Sequence, residues 1–220
     1  TRIEVPDVLS GHPRSGELLY SLALRASGAD SYLLDMRRVS FMAPYGVISL
    51  VSVARSLAGE TGRRVRLANL SGQLHSYLER MDLFRIGEDW IESEGEVHNL
   101  WLRNPMTDNL LELTTISGPS DVESAVARAR MVFSQVLGGS SLGELCTVLS
   151  ELCANIYQHS GDRRGCVLIQ RYGSPAVRRV TVDLAVGDLG RGVRASLSDQ
   201  HGSLGKAAID YLRAAMHGKT

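Results

Sequence analysis

Hydrophobic positions recur along the chain with two different periods, and the switches between them mark out the elements. Residues 31–36 are a short apolar run of strand length. Pro44 then opens a stretch in which Val47, Val51, Ala54 and Ala58 recur at helical spacing. Proline suits that first position because the N–H it lacks would have no partner there. Gly59 and Gly62 are the expected stop. From Arg64 to Leu70 the period falls to two, with Val65 and Leu67 on one face and Arg64 and Arg66 on the other. Ser71 is a candidate cap for a short helix carrying Leu74, Leu78 and Met81. Strand, helix, strand, helix predicts a mixed α/β unit with a βαβ crossover over residues 1–86.

Residues 87–108 carry Glu88, Asp89, Glu92, Glu94 and Glu96 and no sustained apolar period, which reads as an acidic linker. Trp90, Ile91 and Trp101 point to part of it docking on a surface. The second unit, 109–220, opens with a strand at 110–116. Ser120 with Glu123 forms a capping-box pattern ahead of Val122, Val126, Ala129, Phe133 and Val136 at helical spacing. Gly138 and Gly139 break the chain. Ser141 with Glu144 repeats the capping pattern before Leu142, Leu145, Leu149, Leu152 and Ile156. Strands follow at 166–172 and 180–186, joined by a turn at 173–175, then a glycine-rich stretch at 187–192 and a helix at 203–216. Two helices and then a hairpin predict a two-layer α+β sandwich with the helices on one side of the sheet.

Charge narrows the function classes. Lys plus Arg and Asp plus Glu both number 24. Affinity for a nucleic-acid backbone comes from surplus cations, so no nucleic-acid partner is expected. The longest apolar run, 47–54, is interrupted by Ser49 and Ser52 and falls short of the roughly 18 residues a membrane span needs. Three cysteines, Cys146, Cys153 and Cys166, do not read as a disulfide framework. With no signal-peptide pattern, the expectation is a cytoplasmic protein. The missing initiator Met makes Thr1 the expected start of a fragment. Cys146 and Cys153, seven apart on one helix, read as small core residues.

Two segments could carry chemistry. Glu151, Asn155 and His159 are spaced by four, so each sits about 40° round a helix from the last and together they form one polar stripe. A carboxylate and an amide one turn apart can hold a divalent cation and orient a hydroxyl beside it. The other reading of the stripe is the wet face of an amphipathic helix. Asp188, Gly190 and Gly192 follow directly after a strand. Glycines there let backbone approach a ligand closely, and free N–H groups can cradle phosphate. The other reading is an ordinary glycine-rich strand exit.

Taken together, a polar helix stripe, a hairpin and then Asp-x-Gly-x-Gly 37 residues after the glutamate (151 to 188) resemble the GHKL family of ATPases. That is the Bergerat fold shared by gyrase, sensor histidine kinases and anti-sigma serine kinases. The resemblance implies ATP and Mg²⁺ as cofactors. It implies a general base at Glu151, a Mg²⁺ ligand at Asn155, and a first glycine box at Asp188, Gly190 and Gly192 in which the aspartate reads the adenine amine. The resemblance also implies a nucleotide-binding role for His159, whose position is most similar to the anti-sigma serine-kinase branch. That family's second glycine box, Gly-x-Gly-Leu, does not occur before Thr220. The expectation is either further sequence beyond Thr220 or a halved phosphate cradle.

The first unit resembles a STAS domain, the fold of anti-sigma-factor antagonists, through Leu33 to Gly46, Val65 to Asn69 and Met81 to Phe84. In that family a Ser or Thr just before the glycine receives phosphate from a partner kinase. Here Ala43, Pro44 and Tyr45 precede Gly46, so a docking or dimerising surface is expected in place of a phosphorylation switch. The combined expectation is a signalling protein that binds ATP·Mg. It would be a serine-protein kinase or ATPase with a regulatory partner, STAS-type or sigma-factor-like, and a homodimer is an open option. The alternative expectation is a non-catalytic interaction module with a degenerate ATPase fold.

Overall fold

A computed structural model describes residues 1–9, 13–97, 109–173, 181–201, 209–211 and 213. Strands β1 (Arg2–Glu4), β3 (Leu33–Asp35), β5 (Val65–Ala68) and β6 (Ile91–Ser93) form a parallel sheet in that order. A two-strand ribbon pairs β2 (Val8–Leu9) with β4 (Phe41–Met42). Parallel neighbours need crossovers. These are α1 (Pro13–Arg25), α2 (Pro44–Thr61), and the pair α3 (Gly72–Arg80) and α4 (Leu83–Ile86). The predicted βαβ unit is present as β3–α2–β5.

Local signals explain most boundaries. Pro44 starts α2, and Gly62 ends it at φ +66, donating its N–H to the Ala58 carbonyl at 2.8 Å; Gly59 lies inside the helix. The Ser71 hydroxyl accepts from the Leu74 N–H at 3.2 Å, as a cap for α3 should. Four strands and α1 lie where no element was predicted. β1, β2, β4 and β6 are two or three residues each, too short to show a period. β6 lies within the stretch read as an acidic linker, where Glu92 pairs with Arg66 across the sheet at 3.1 Å. Trp90 and Ile91 are buried, as the docking expectation has it, and Trp101 lies outside the described residues. In α1, Leu18 and Leu24 are exposed while Leu19 and Ala23 are buried, so apolar residues on both faces blur the helical stripe.

The second half holds an antiparallel sheet, β7 (Leu110–Ile116), β8 (Gly165–Tyr172) and β9 (Thr181–Gly187), in that order. Its helices are α5 (Pro119–Phe133), α6 (Gly139–Asn155), a π-turn at Ile156–Ser160, and α7 (Gly192–His201). The chain is thus mixed α/β with one parallel and one antiparallel sheet. Neither predicted capping box forms. Pro119 starts α5 one residue before Ser120, behind an extended Gly118. The carboxylate that satisfies the entry is Asp121, which accepts from the Ser117 N–H and hydroxyl at 2.8 and 2.7 Å. α6 likewise begins at Gly139, ahead of Ser141, with no side-chain cap. The helix expected at 203–216 falls largely outside the described residues, as do Val180 and most of the 173–175 turn. The helix that follows the glycine stretch is α7, from Gly192.

The antiparallel sheet is apolar on both faces. Leu111, Ile116, Val167 and Ile169 pack with α5 and α6, as predicted. Leu110, Leu113, Cys166, Leu168 and Ala185 join a second cluster with Val47, Leu50, Val51 and Ala54 of α2. The first unit's helix therefore covers the face that the sequence left open, and one of the two hydrophobic clusters is shared by both halves. A bulge in β7 between Leu111 and Thr114 turns the Leu113 N–H to the Met81 carbonyl at 3.1 Å, and the buried Glu112 carboxylate meets Arg80 at 2.7 Å. Among the described residues no helix is long and apolar enough to cross a membrane.

Because α2 belongs to both layers, the halves should unfold together. Leu168→Ala should lower stability by about 2–5 kcal/mol. With Trp101 replaced by Phe, Trp90 fluorescence and far-UV circular dichroism should report one coincident urea midpoint within each protein, lower in the variant than in wild type. Two separate midpoints would refute the shared core.

Candidate functional site

Helix α6 and its π-turn carry the first motif, and the loop after β9, which carries the second, packs on that π-turn. α6 presents its buried side, Leu142, Cys146, Leu149 and Cys153, to the sheet. That orientation leaves Glu151 and Asn155 exposed on the opposite side. Neither side chain has a hydrogen bond or ion pair among the described residues. At Ile156 the helix widens into the π-turn, which adds one residue to the turn and breaks the uniform drift expected between Asn155 and His159. His159 is half-buried there, and Ser160 is buried with its hydroxyl donating to the Ile156 carbonyl at 2.6 Å.

The loop after β9 lies directly on this turn. A Cβ at Gly190 would come within 2.2 Å of the Ser160 Cβ and 2.4 Å of its carbonyl oxygen, so only glycine allows the approach. The Arg191 N–H donates to the Ser160 carbonyl at 2.9 Å, and Arg191 Nε to the His159 carbonyl at 3.2 Å. Asp188 is exposed, and its Oδ1 accepts from the Gly190 N–H at 2.7 Å. Gly192 opens α7 at φ +71, a backbone region where a side chain is strained. His159, Asp188, Gly190 and Gly192 are therefore gathered at the π-turn, with Asn155 immediately before it and Glu151 one helical turn further back.

The structure adds residues that the sequence did not point to. Asp162, two residues past the turn, takes Arg55 of α2 in a two-pronged ion pair, Nη2 to Oδ1 at 2.8 Å and Nη1 to Oδ2 at 3.1 Å. Asp162 also accepts from the Leu189 N–H at 2.7 Å and the Arg164 N–H at 2.8 Å. Burial alone would raise its carboxyl. The Arg55 bonds, the two N–H bonds and the Arg55 charge outweigh burial and hold it below the ordinary carboxylate value. Tyr20 of α1 shares a hydrogen bond with Ser52 and lies within electrostatic reach of Asp188 and Arg55; burial, chiefly, pushes its phenol up. A signal for Arg55 is present in the sequence: it is the first charge in α2, ahead of Glu60, amid apolar and small residues.

Cys146, Cys153 and Cys166 are free and buried, and burial pushes the Cys153 and Cys166 thiols up to about 11, which leaves them unreactive core residues. No group of three or more His, Cys, Asp or Glu that could hold a metal occurs among the described residues. Two surface grooves lie elsewhere. One, between α5 and α6, is lined by Val126, Met131 and Ser150; the other, past β5, by Asn69, His75 and Glu94. Neither contains a residue of the junction. Comparison with family models, curated proteins and solved structures returns no match.

The lowered Asp162 pKa fixes a pH dependence. A carboxylate whose folded value lies below its unfolded value, about 3.9, stabilises fully above the unfolded value and loses that contribution as pH falls through the folded one. The stability gap between wild type and Asp162→Asn should hold constant from pH 7 to about 5 and shrink below about pH 4. Urea melts across that range check this, and a gap that widens in acid contradicts the assignment.

Proposed function

We propose that the protein is a cytoplasmic signalling protein that binds ATP·Mg at the junction of residues 151–159 and 188–192 and passes phosphate to a serine of a regulatory partner. One observation carries this reading. The glycine loop packs on the π-turn at the His159 end of the helix stripe, with Gly190 against Ser160 and Arg191 bonded to the His159 and Ser160 carbonyls. A nucleotide site needs both halves side by side. The finer fold reading goes with it: a GHKL-like sandwich built from β7–β9 with α5 and α6, and a STAS-like unit built around β3–α2–β5.

The residues present suit the ligands. Gly190 leaves no room for a Cβ and Gly192 has positive φ, two backbone positions of the kind that lets a loop close on phosphate. Asp188 spends Oδ1 on the Gly190 N–H and keeps Oδ2 for an exocyclic amine. Mg²⁺ keeps several waters and is usually held by one or two carboxylates plus phosphate oxygens, so the exposed Asn155 amide would supply one neutral oxygen to a shell completed by water and phosphate. The bound ion would neutralise charge on the phosphates. Glu151, exposed one turn earlier, would accept the proton of the attacking hydroxyl. The partner, STAS-type or sigma-factor-like, would supply that hydroxyl.

Calorimetric titration with ATP and Mg²⁺ tests the reading. Asp188→Asn should weaken binding by about 1.5–3 kcal/mol, the worth of one charge-assisted hydrogen bond. Asn155→Ala should remove the Mg²⁺-dependent part of the affinity. Glu151→Ala should keep binding and slow phosphate release by roughly 10²- to 10⁴-fold. Wild type that binds without turnover points instead to a non-catalytic interaction module, and wild type that binds no nucleotide refutes the site.

A further inference from the structure

The loop at 188–192 is held not only by its own half of the chain but, through Asp162, by the other half. Arg55 is 12% exposed and Asp162 6%. Every lone-pair site of the carboxylate is in use. Oδ1 takes Arg55 Nη2 and the Arg164 N–H; Oδ2 takes Arg55 Nη1 and the Leu189 N–H. Arg55 Nη1 also donates to the Arg164 carbonyl at 2.6 Å. A guanidinium fork on both oxygens stops the carboxylate from rotating. That fixes the position at which Oδ2 meets Leu189, between Asp188 and Gly190. The strand leading into the loop rests on the same helix: a Cβ at Gly187 would come within 2.4 Å of Ile48.

We propose that Arg55 is a positioning residue for the 188–192 loop. Through Asp162 it makes the loop's shape depend on where α2 lies, so that α2 acts as a lever on whatever the loop binds. The mechanical half of this stands on geometry alone. The consequence for nucleotide affinity rests on the function proposed above.

Two readouts on the full chain keep those halves apart. The first is amide hydrogen exchange by NMR at Leu189 and Arg191, with Leu168 in β8 as the internal reference. Arg55→Met should speed exchange at Leu189 by about tenfold, as the carboxylate loses its fork and turns off the Leu189 N–H, and leave Leu168 far less affected. Arg55→Lys, which keeps the charge and loses the fork, should recover part of the protection. If Arg55→Met does not fold, Arg55→Lys alone carries the comparison, with a smaller rise still confined to the loop. Exchange that rises equally at Leu168 and Leu189, or at neither, overturns the positioning role.

The second readout is ATP·Mg titration of the same variants, where Arg55→Met should weaken binding by about tenfold. Unchanged affinity beside faster loop exchange overturns the lever. A wild type that binds no ATP, with Leu189 still responding to Arg55, upholds the positioning role and removes the nucleotide reading instead.

Discussion

Helix α2 has almost no wet face, and much of the structure follows from that. Twelve of its 18 residues are buried. An ordinary surface helix buries one stripe and wets the rest. α2 buries more because it serves two sheets, packing beside α1 over the parallel strands and against β8 and β9 on its other side. A helix enclosed in this way cannot hold a charge without a partner, since a buried unpaired charge is among the most unfavourable groups a fold can contain. Arg55 therefore needs a carboxylate at its exit from the core, and Asp162 supplies it. The ion pair is less an added stabiliser than a condition of having an arginine there.

The sequence showed α2 but only half of its environment. Val47, Val51, Ala54 and Ala58 mark the stripe that any amphipathic helix would have. Ile48 and Ser52 meet β9 at Gly187, but Ile48 lies off that stripe and Ser52, with Ser49, reads in the sequence only as a break in an apolar run. What covers that second side arrives more than a hundred residues later in the chain, and no local period can report it. The same limit explains the missed strands. Three residues of β1 or β6 acquire their identity from the neighbours they pair with, Leu33 to Asp35 and Val65 to Leu67, and not from any pattern of their own. The capping errors are different in kind. Ser120 and Ser141 had the right residue type and spacing, but Pro119 and Gly138–Gly139 start the helices earlier, and backbone preference decided the boundary.

At the candidate site, the residues singled out by motif can be read in the sequence, and the contacts that hold them cannot. Glu151, Asn155, His159, Asp188, Gly190 and Gly192 stand out only in combination, because the stripe alone reads as a wet helix face and the glycines alone as an ordinary strand exit. Five residues of π-turn leave no mark in composition, so the shift in stripe geometry after Asn155 is visible only in the fold. Arg55 and Asp162 are 107 positions apart; the apolar surroundings of Arg55 mark it in the sequence, but nothing local names Asp162, read as a turn aspartate, as its partner.

The sheet with apolar side chains on both faces has a practical meaning for anyone dissecting the molecule. The segment from residue 109 onward looks, by motif, like a free-standing module. Leu110, Leu113, Cys166, Leu168 and Ala185 are each at most 5% exposed, and the helix that covers them lies upstream of any such cut. Excised, that module would display a bare hydrocarbon surface across three strands, the kind of surface that drives self-association in solution. The boundary that motifs draw in the sequence is not one at which the protein can be divided.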